Sequence, residues 1–458
     1  MALSLPTART GGASVSVLDR VIPVDRVPVV YLIVSAVIAL AMQQSRQLAT
    51  IEGVLVIGLV VLVVLFSKRV ELVIAGVSYV VASEALWRMT KSHAPWEIGK
   101  YILVFGFGVA CLRFASRRLS LLPLVFIGLL IPSGAITVTQ LGLSAAQGAV
   151  VFNLGGPVAL GLAVFFLQRV EATGQEMTQQ IWVLLGPLVG VAAIVARKTI
   201  ENGTISFSDN SNFDTSGGYG PNQVSTVLGL GALLCLLILL RGIRGRTGLF
   251  VLALCGFFLG ETLLTFSRGG VYTAVVGAAG VVLAGLLTSG TRSKILTRAL
   301  LIGIMTLLVI SWASTFTGGT LGTRYGDTGT TGRSDIAASE IRLFEQNPVW
   351  GIGPGRAATE RDALTFGTEA SHTEYTRMLA EHGVLGLMAI GILLAMAWRA
   401  FRSQTDRWGR LFAAGAIFWA MTAMTHAGMR IGLIPLIFAL ASVRIQPPPA
   451  GSSRARGA

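Results

Sequence analysis

The chain has 458 residues, 53% of them hydrophobic and only 13% charged, and its 36 Lys and Arg against 22 Asp and Glu give a formal charge of +14. A soluble domain carries about 25% charged residues, and a mean hydropathy of +0.71 excludes that class: most of this chain is dissolved in lipid. Its three cysteines, Cys111, Cys235 and Cys255, lie in apolar runs without a spacing pattern, so they read as buried small hydrophobes and not as disulfides or metal ligands.

A bilayer core about 30 Å thick takes roughly 20 mostly apolar residues per helix. A polar stretch fills residues 1–27 and is not expected to be a cleaved signal. Apolar segments follow near 28–44, 51–66, 70–87, 98–115, 119–133, 149–167, 181–196, 224–240, 248–266, 271–288, 295–313, 384–401, 408–425 and 430–444. Pro123 and Pro132 bracket a short one, and the last is barely long enough. The fold class read from this pattern is all-α: a polytopic membrane protein with 12–14 transmembrane helices and a large extracytoplasmic loop carrying short helices.

The basic residues set the orientation. With a cytoplasmic start, nearly every short inner loop is basic: Lys68 and Arg69, Arg113, Arg117 and Arg118, Arg241, Arg244 and Arg246, and Arg399 to Arg410. Short loops rich in Lys and Arg stay inside. The positive charge is therefore largely a topogenic signal, which argues against nucleic acid as a partner, and both termini are expected in the cytoplasm.

Two outer loops are long. Residues 197–223 are polar and rich in turn formers. Residues 314–383 are longer still, and such a loop in a chain of short connections is where function concentrates. Within it Arg333 to Asn347 reads as a helix on the spacing of Ile336, Leu343 and Phe344, with Pro348 as its stop and Ser334 or Thr331 as its cap. This helix lies on the membrane plane or packs over the bundle. "GIGPG" (351–355) follows as a plain turn. The loop holds six arginines against nine acids, so any anion site in it comes from positioned guanidiniums and not from bulk field.

Its end, "SHTEYTRMLAEHG" (371–383), reads as a helix entering the next segment, with His372, Tyr375, Thr376 and Leu379 on one face and Glu374, Arg377 and Glu381 forming a solvated charge run on the other. "LLTFSRGGVYT" (263–273) puts Ser267 and Arg268 at the outer junction of two apolar segments, where an arginine near hydrocarbon is costly and hence a functional candidate. Arg333 at a helix start is a second, because a guanidinium beside free backbone N–H groups makes an anion site. Second-tier candidates are Tyr375, Ser267 and Asn222 for sugar hydroxyls and Arg430 for the anion; His426 shares a short outer turn with Arg430, and His382 lies near the membrane entry.

These pieces resemble the O-antigen ligase and polymerase superfamily of bacterial membrane proteins. The resemblance rests on "TFSRGG" (265–270), "GRSDIAASEIRLFEQNPVWGIGPG" (332–355) and "SHTEYTRMLAEHGVLGL" (371–387), in that order on the expected side of the membrane; "GGYGPNQVS" (217–225) resembles an outer-face element of some members. It covers residues 224–444, including the periplasmic loop 314–383. Residues 28–223 match only as a series of hydrophobic helices, and 1–27 and 445–458 are expected as cytoplasmic tails. The resemblance implies an inverting glycosyltransferase of the bacterial cytoplasmic membrane, needing no metal or cofactor, with its active site facing the periplasm. Its donor would be a glycan on undecaprenyl diphosphate and its acceptor a hydroxyl of lipid A–core (ligase) or of another lipid-linked repeat (polymerase). Other polysaccharide-assembly membrane proteins are implied partners. By position, Arg268 matches the arginine of the family's S-R-G junction, Arg333 its loop-helix arginine and His372 its loop histidine; Thr373 stands where many members have asparagine. The chemistry fits: charge builds on phosphate oxygens as the glycosidic bond breaks, two guanidiniums hold them, and an imidazole is a base near neutral pH.

Three other classes compete. A purely structural membrane subunit gives no reason for the arginine–histidine set. A lipid-linked glycan flippase would place its charges near the midplane in repeated halves; Glu71 and Glu84 are the clearest acids in membrane segments, and no duplication is visible. A metal-dependent transferase would draw on Asp209 and Asp214, whose spacing reads better as solvated turn carboxylates.

Overall fold

The computed structural model describes residues 3–4, 27–114, 120–201, 211–288, 292–327, 329, 332–362 and 371–447. Most of both expected tails, Asp209 and Thr331 lie outside these. All fourteen predicted segments are helical: α1 Val27–Gln44, α2 Arg46–Phe66, α3 Val70–Met89, α4 Ile98–Arg113, α5 Leu122–Leu130, α6 Gly134–Leu167, α7 Gly174–Glu201, α8 Pro221–Arg241, α9 Gly245–Leu264, α10 Arg268–Leu287, α11 Arg292–Phe316, then three short loop helices, α12 Thr320–Gly326, α13 Arg333–Gln346 and α14 Ala357–Asp362, and finally α15 Glu374–Arg402, α16 Arg407–Ala423 and α17 Leu433–Leu440. The molecule is an all-α polytopic membrane protein. Among the described residues ten helices are long and apolar enough to cross a bilayer. The other four of the predicted segments are shorter: α4 and α16 have 16 and 17 residues, α5 and α17 only 9 and 8. The last two are the segments whose prolines and length looked marginal in sequence.

Local chemistry fixes the ends. Ser45 accepts from Leu48 N to start α2, and Asp406 accepts from Gly409 N to start α16. Thr173 and Glu176 form a reciprocal capping box ahead of α7, each side chain taking the other's backbone N–H. Such caps contribute about 1 kcal/mol each.

One sheet was not foreseen. β1 Leu3–Ser4, β2 Val170–Thr173 and β3 Arg444–Gln446 pair in parallel in that order. It brings the amino-terminal strand, the α6–α7 junction and the carboxy-terminal strand to one end of the bundle, so the two chain ends share a side, as the charge pattern predicts. The other end carries the long loops.

α8, α10 and α16 pack around the bundle's centre. A Cβ on Gly270 would lie 2.1 Å from the Ser225 carbonyl oxygen, and one on Gly229 2.5 Å from the Gly270 oxygen. α8 and α10 therefore meet backbone to backbone, the small-residue packing that gives membrane helices close contact where no hydrophobic force separates them from lipid. α15 breaks at Gly383, whose φ of 60° suits only glycine and whose Cβ would strike the Pro348 oxygen. Residues 374–382 thus belong to the loop end and 384–402 to the span.

Candidate functional site

At the start of α10 the backbone is strained. Phe266 has φ of +56°, unusual for a bulky side chain and worth about 1–3 kcal/mol. Its fully buried ring packs with Leu264, Ala313 and Leu321, and its carbonyl accepts from Arg324 Nε at 3.1 Å. That turn aims Arg268 at the long loop. The Arg268 guanidinium is engaged, donating to the backbone carbonyls of Asp327 and, at 2.5 Å, Gly329. Asp327's carboxylate stands 4.0 Å from Arg268 and 3.9 Å from Arg324. Arg268 ties α10 to the loop.

Ser267 and Asn222 prove to be neighbours. Ser267 Oγ donates to Asn222 Oδ1 at 3.4 Å, while Asn222 Nδ2 donates to the His426 carbonyl at 2.7 Å. His426 is buried: its Nδ1 donates to the Thr422 carbonyl at 3.1 Å and its Nε2 lies 3.3 Å from Thr226 Oγ1. The second-tier pair thus holds α8, α10 and the 424–432 turn together.

Arg333 opens α13 behind Gly332, which takes the cap position without a side-chain hydrogen bond, so Ser334 is not the cap, and Thr331 lies outside the described residues. Its Nε is buried with no hydrogen-bond partner. Burial, then the charges of Arg268 and Arg324, press the Arg333 pKa down from its ordinary value. A guanidinium stays charged at neutral pH even so, and three of them crowd one place, with the Asp327 carboxylate beside Arg268 and Arg324.

α13 packs over the bundle against α15, burying Ile336, Ser339, Glu340 and Leu343. Glu340 is fully buried and was missed among the loop's acids. It accepts from Arg361 and from Thr376 Oγ1, both at 2.5 Å, and from Ser371 Oγ. Its one carboxylate joins the helix carrying Arg333 to the residues flanking His372. The signal lay in the sequence: Glu340 shares the stripe of Ile336 and Leu343 at i+4 and i−3.

His372 stands just before α15, whose cap is Thr373 accepting from Tyr375 N. The shared face expected for His372, Tyr375 and Thr376 does not form. Tyr375 donates to the Met421 carbonyl of α16 at 2.9 Å and anchors the two helices, while Thr376 faces Glu340. His372 Nδ1 is buried without a partner. Burial first, then the charges of Arg333, Arg430 and Arg361, hold its pKa down at about 4 against an ordinary 6.5. His426 is likewise lowered to about 4 by burial and by Arg333, with His372 adding to it. Each of these groups therefore feels the others. Arg430 closes the ring by donating to the Ser371 carbonyl.

The charge run is not solvated. Glu374, Arg377 and Glu381 are buried, with Arg377 between the two carboxylates and 2.6 Å from Glu381. Glu374 Oε2 caps Met429 N, and Glu381 Oε1 takes Gly355 N at 2.8 Å. The GIGPG segment is a turn, as read, pressed onto α15 through Ile352 N and Gly353 N to the Ala380 and Glu381 carbonyls. These charges lie inside because the loop folds over them; helical spacing alone cannot report a lid. His382 is buried too, with its Nδ1 against Ser133 Oγ.

Of the sequence candidates, Arg268, Arg333, His372 and Arg430 thus gather at the loop end around His426, joined by the unforeseen Arg324, Arg361 and Glu340. Tyr375 faces away. Asp214 sits exposed in a short 3-10 turn, and among the described residues no three His, Cys, Asp or Glu gather as a metal cluster.

Residues 249–391 match the O-antigen ligase family. That segment contains Arg268, Arg324, Arg333, Glu340, Arg361 and His372, and the match supports the resemblance to the O-antigen ligase and polymerase superfamily. Asn222, His426 and Arg430 lie outside it and reach the same spot through the fold. No curated protein matches the chain.

Proposed function

We propose that this end of the bundle faces the periplasm and transfers a glycan from a polyprenyl diphosphate to an acceptor hydroxyl. The observation that carries the reading is a pair of unpartnered, buried polar atoms, Arg333 Nε and His372 Nδ1, in one positive field. The ligase-family match supports the reaction class.

In the reaction the acceptor oxygen bonds to the anomeric carbon from the face opposite the leaving group. The carbon–oxygen bond to the diphosphate breaks, and the electron pair leaves with the phosphate oxygen, so the sugar inverts. Arg333 holds the departing oxygens. Arg268 joins it when the diphosphate replaces the Asp327 and Gly329 carbonyls in its fork, and Arg324 adds charge from behind. Fixed donors aimed at developing charge need no reorganisation during the step. The acceptor's proton goes to His372, which burial and the arginines keep neutral and so able to accept it. A bound diphosphate offsets those arginine charges and lifts the imidazole pKa toward neutrality, where a general base works best. The base becomes stronger as the donor binds.

Ligase and polymerase differ here only in the acceptor. The test is purified protein in lipid nanodiscs with a defined undecaprenyl-diphosphate glycan and, separately, lipid A–core or a second lipid-linked repeat. The reading expects a new glycosidic bond in one of the two; transfer in neither, with donor left intact, refutes it.

A further inference from the structure

Beside the arginine cluster lies a cavity of about 240 Å³ whose walls include Lys100, Asn153, Ser371, Glu374, Arg377 and Arg430. It shares a wall with the proposed site, because Ser371 precedes His372 and its carbonyl takes the Arg430 guanidinium. The two sides of His372 differ in charge. Toward Arg268, Arg324 and Arg333, three guanidiniums face the carboxylate of Asp327 among the described residues. In the cavity each cation is already engaged: Lys100 sits 2.5 Å from Glu97, Arg377 lies between Glu374 and Glu381, and Arg430 donates to the Ser371 carbonyl with Glu374 nearby. Lys100, Glu374, Arg377 and Glu381 are all more than nine-tenths buried, so this is a built polar chamber and not a surface dent.

We infer that this cavity seats the acceptor: an uncharged, hydroxyl-rich sugar ring whose nucleophilic oxygen is presented to His372. An anionic group entering it meets Glu374 and Glu381, whereas hydroxyls find acceptors in those carboxylates and donors in the Lys100 ammonium and the Asn153 amide. A site that hydrogen-bonds hydroxyls discriminates strongly, because a ligand lacking one leaves a buried polar group unpaired. The inference rests on the transferase reading and adds to it which side of the imidazole takes which substrate.

Ala358 lines the cavity without belonging to any of these polar contacts. Ala358→Trp fills the space with an indole, and Asn153→Ala removes one donor while leaving the volume open. Two measurements separate the sides: steady-state transfer against acceptor concentration, with lipid A–core and a lipid-linked repeat each tried, and binding of undecaprenyl diphosphate without glycan. Both variants are expected to raise the acceptor KM by about tenfold or more, with undecaprenyl diphosphate bound as by the unaltered protein. An unchanged acceptor KM in both, or a parallel loss of undecaprenyl diphosphate binding, overturns the assignment. Failure of the unaltered protein to transfer glycan at all strikes the transferase reading instead.

Discussion

Glu340→Ala is the sharpest probe of how the site is held. Glu340 and Arg361 have side chains 0% and 1% exposed and stand 2.5 Å apart. Removing one partner of such a pair costs about 3–5 kcal/mol, since the other charge stays buried. Ser371 and Thr376 also lose their acceptor, at roughly 1–3 kcal/mol for a buried hydroxyl, although contributions within one network do not add. Unfolding should shift down by on the order of 10 °C. The larger effect is on rate. Glu340 is the carboxylate that fixes Arg333's helix against the residues either side of His372, and a misplacement of about 1 Å costs about a hundredfold. Glu340→Gln keeps the shape and an acceptor for one hydroxyl, so it should fall between Ala and the native residue in both measures. The assay is thermal unfolding alongside transfer kinetics, with donor binding measured separately. A Glu340→Ala protein with native kcat refutes the claim that this carboxylate registers the two halves of the site.

Gly270→Ala puts a methyl 2.1 Å from a backbone oxygen of α8 that cannot swing aside; overpacking of this kind costs about 1–3 kcal/mol, and transfer should fall with the displaced Arg268 while Gly303→Ala, which meets nothing within 4 Å, leaves it unchanged. The pH profiles should differ by substrate state: kcat/KM for the donor reports His372 in the free protein and should hold down toward pH 4, whereas the acid limb of kcat should lie at higher pH because the bound diphosphate favours the imidazolium. Coincident limbs would count against a diphosphate beside this imidazole. Stability carries the same signature, since His372 and His426 are lowered from 6.5 to about 4: the unfolded chain binds more protons between these values, so unfolding temperature should drop as pH falls from 6.5 to 4, less so in His426→Gln.

The helical segments were legible because lipid demands long apolar runs, and even the two half-length helices showed as proline-bracketed or truncated stretches. Arg268 stood out as a guanidinium where apolar sequence makes it costly, Arg333 as one at a helix start and His372 as a titratable group in the loop's polar end; the roles given to them belong to the proposed function. Three kinds of feature were not legible. The parallel sheet joins two-, four- and three-residue strands far apart in the chain, below any periodicity. The buried state of Glu374, Arg377 and Glu381 depends on the 351–355 turn closing over them, a contact between separate segments. The engagement of Arg268 by loop carbonyls, and of Tyr375 by α16, likewise follows from how loops return to the bundle. Glu340 was within reach, since a carboxylate on a helix's apolar stripe has to find a buried partner.

The most direct measurement pairs donor binding with transfer in His372→Ala and Arg333→Ala, both in nanodiscs with a defined undecaprenyl-diphosphate glycan. With the imidazole removed, donor affinity should persist while turnover falls by roughly 10²–10⁴-fold; with the guanidinium removed, donor affinity itself should fall. Native turnover in His372→Ala, or native donor affinity in Arg333→Ala, would contradict the account.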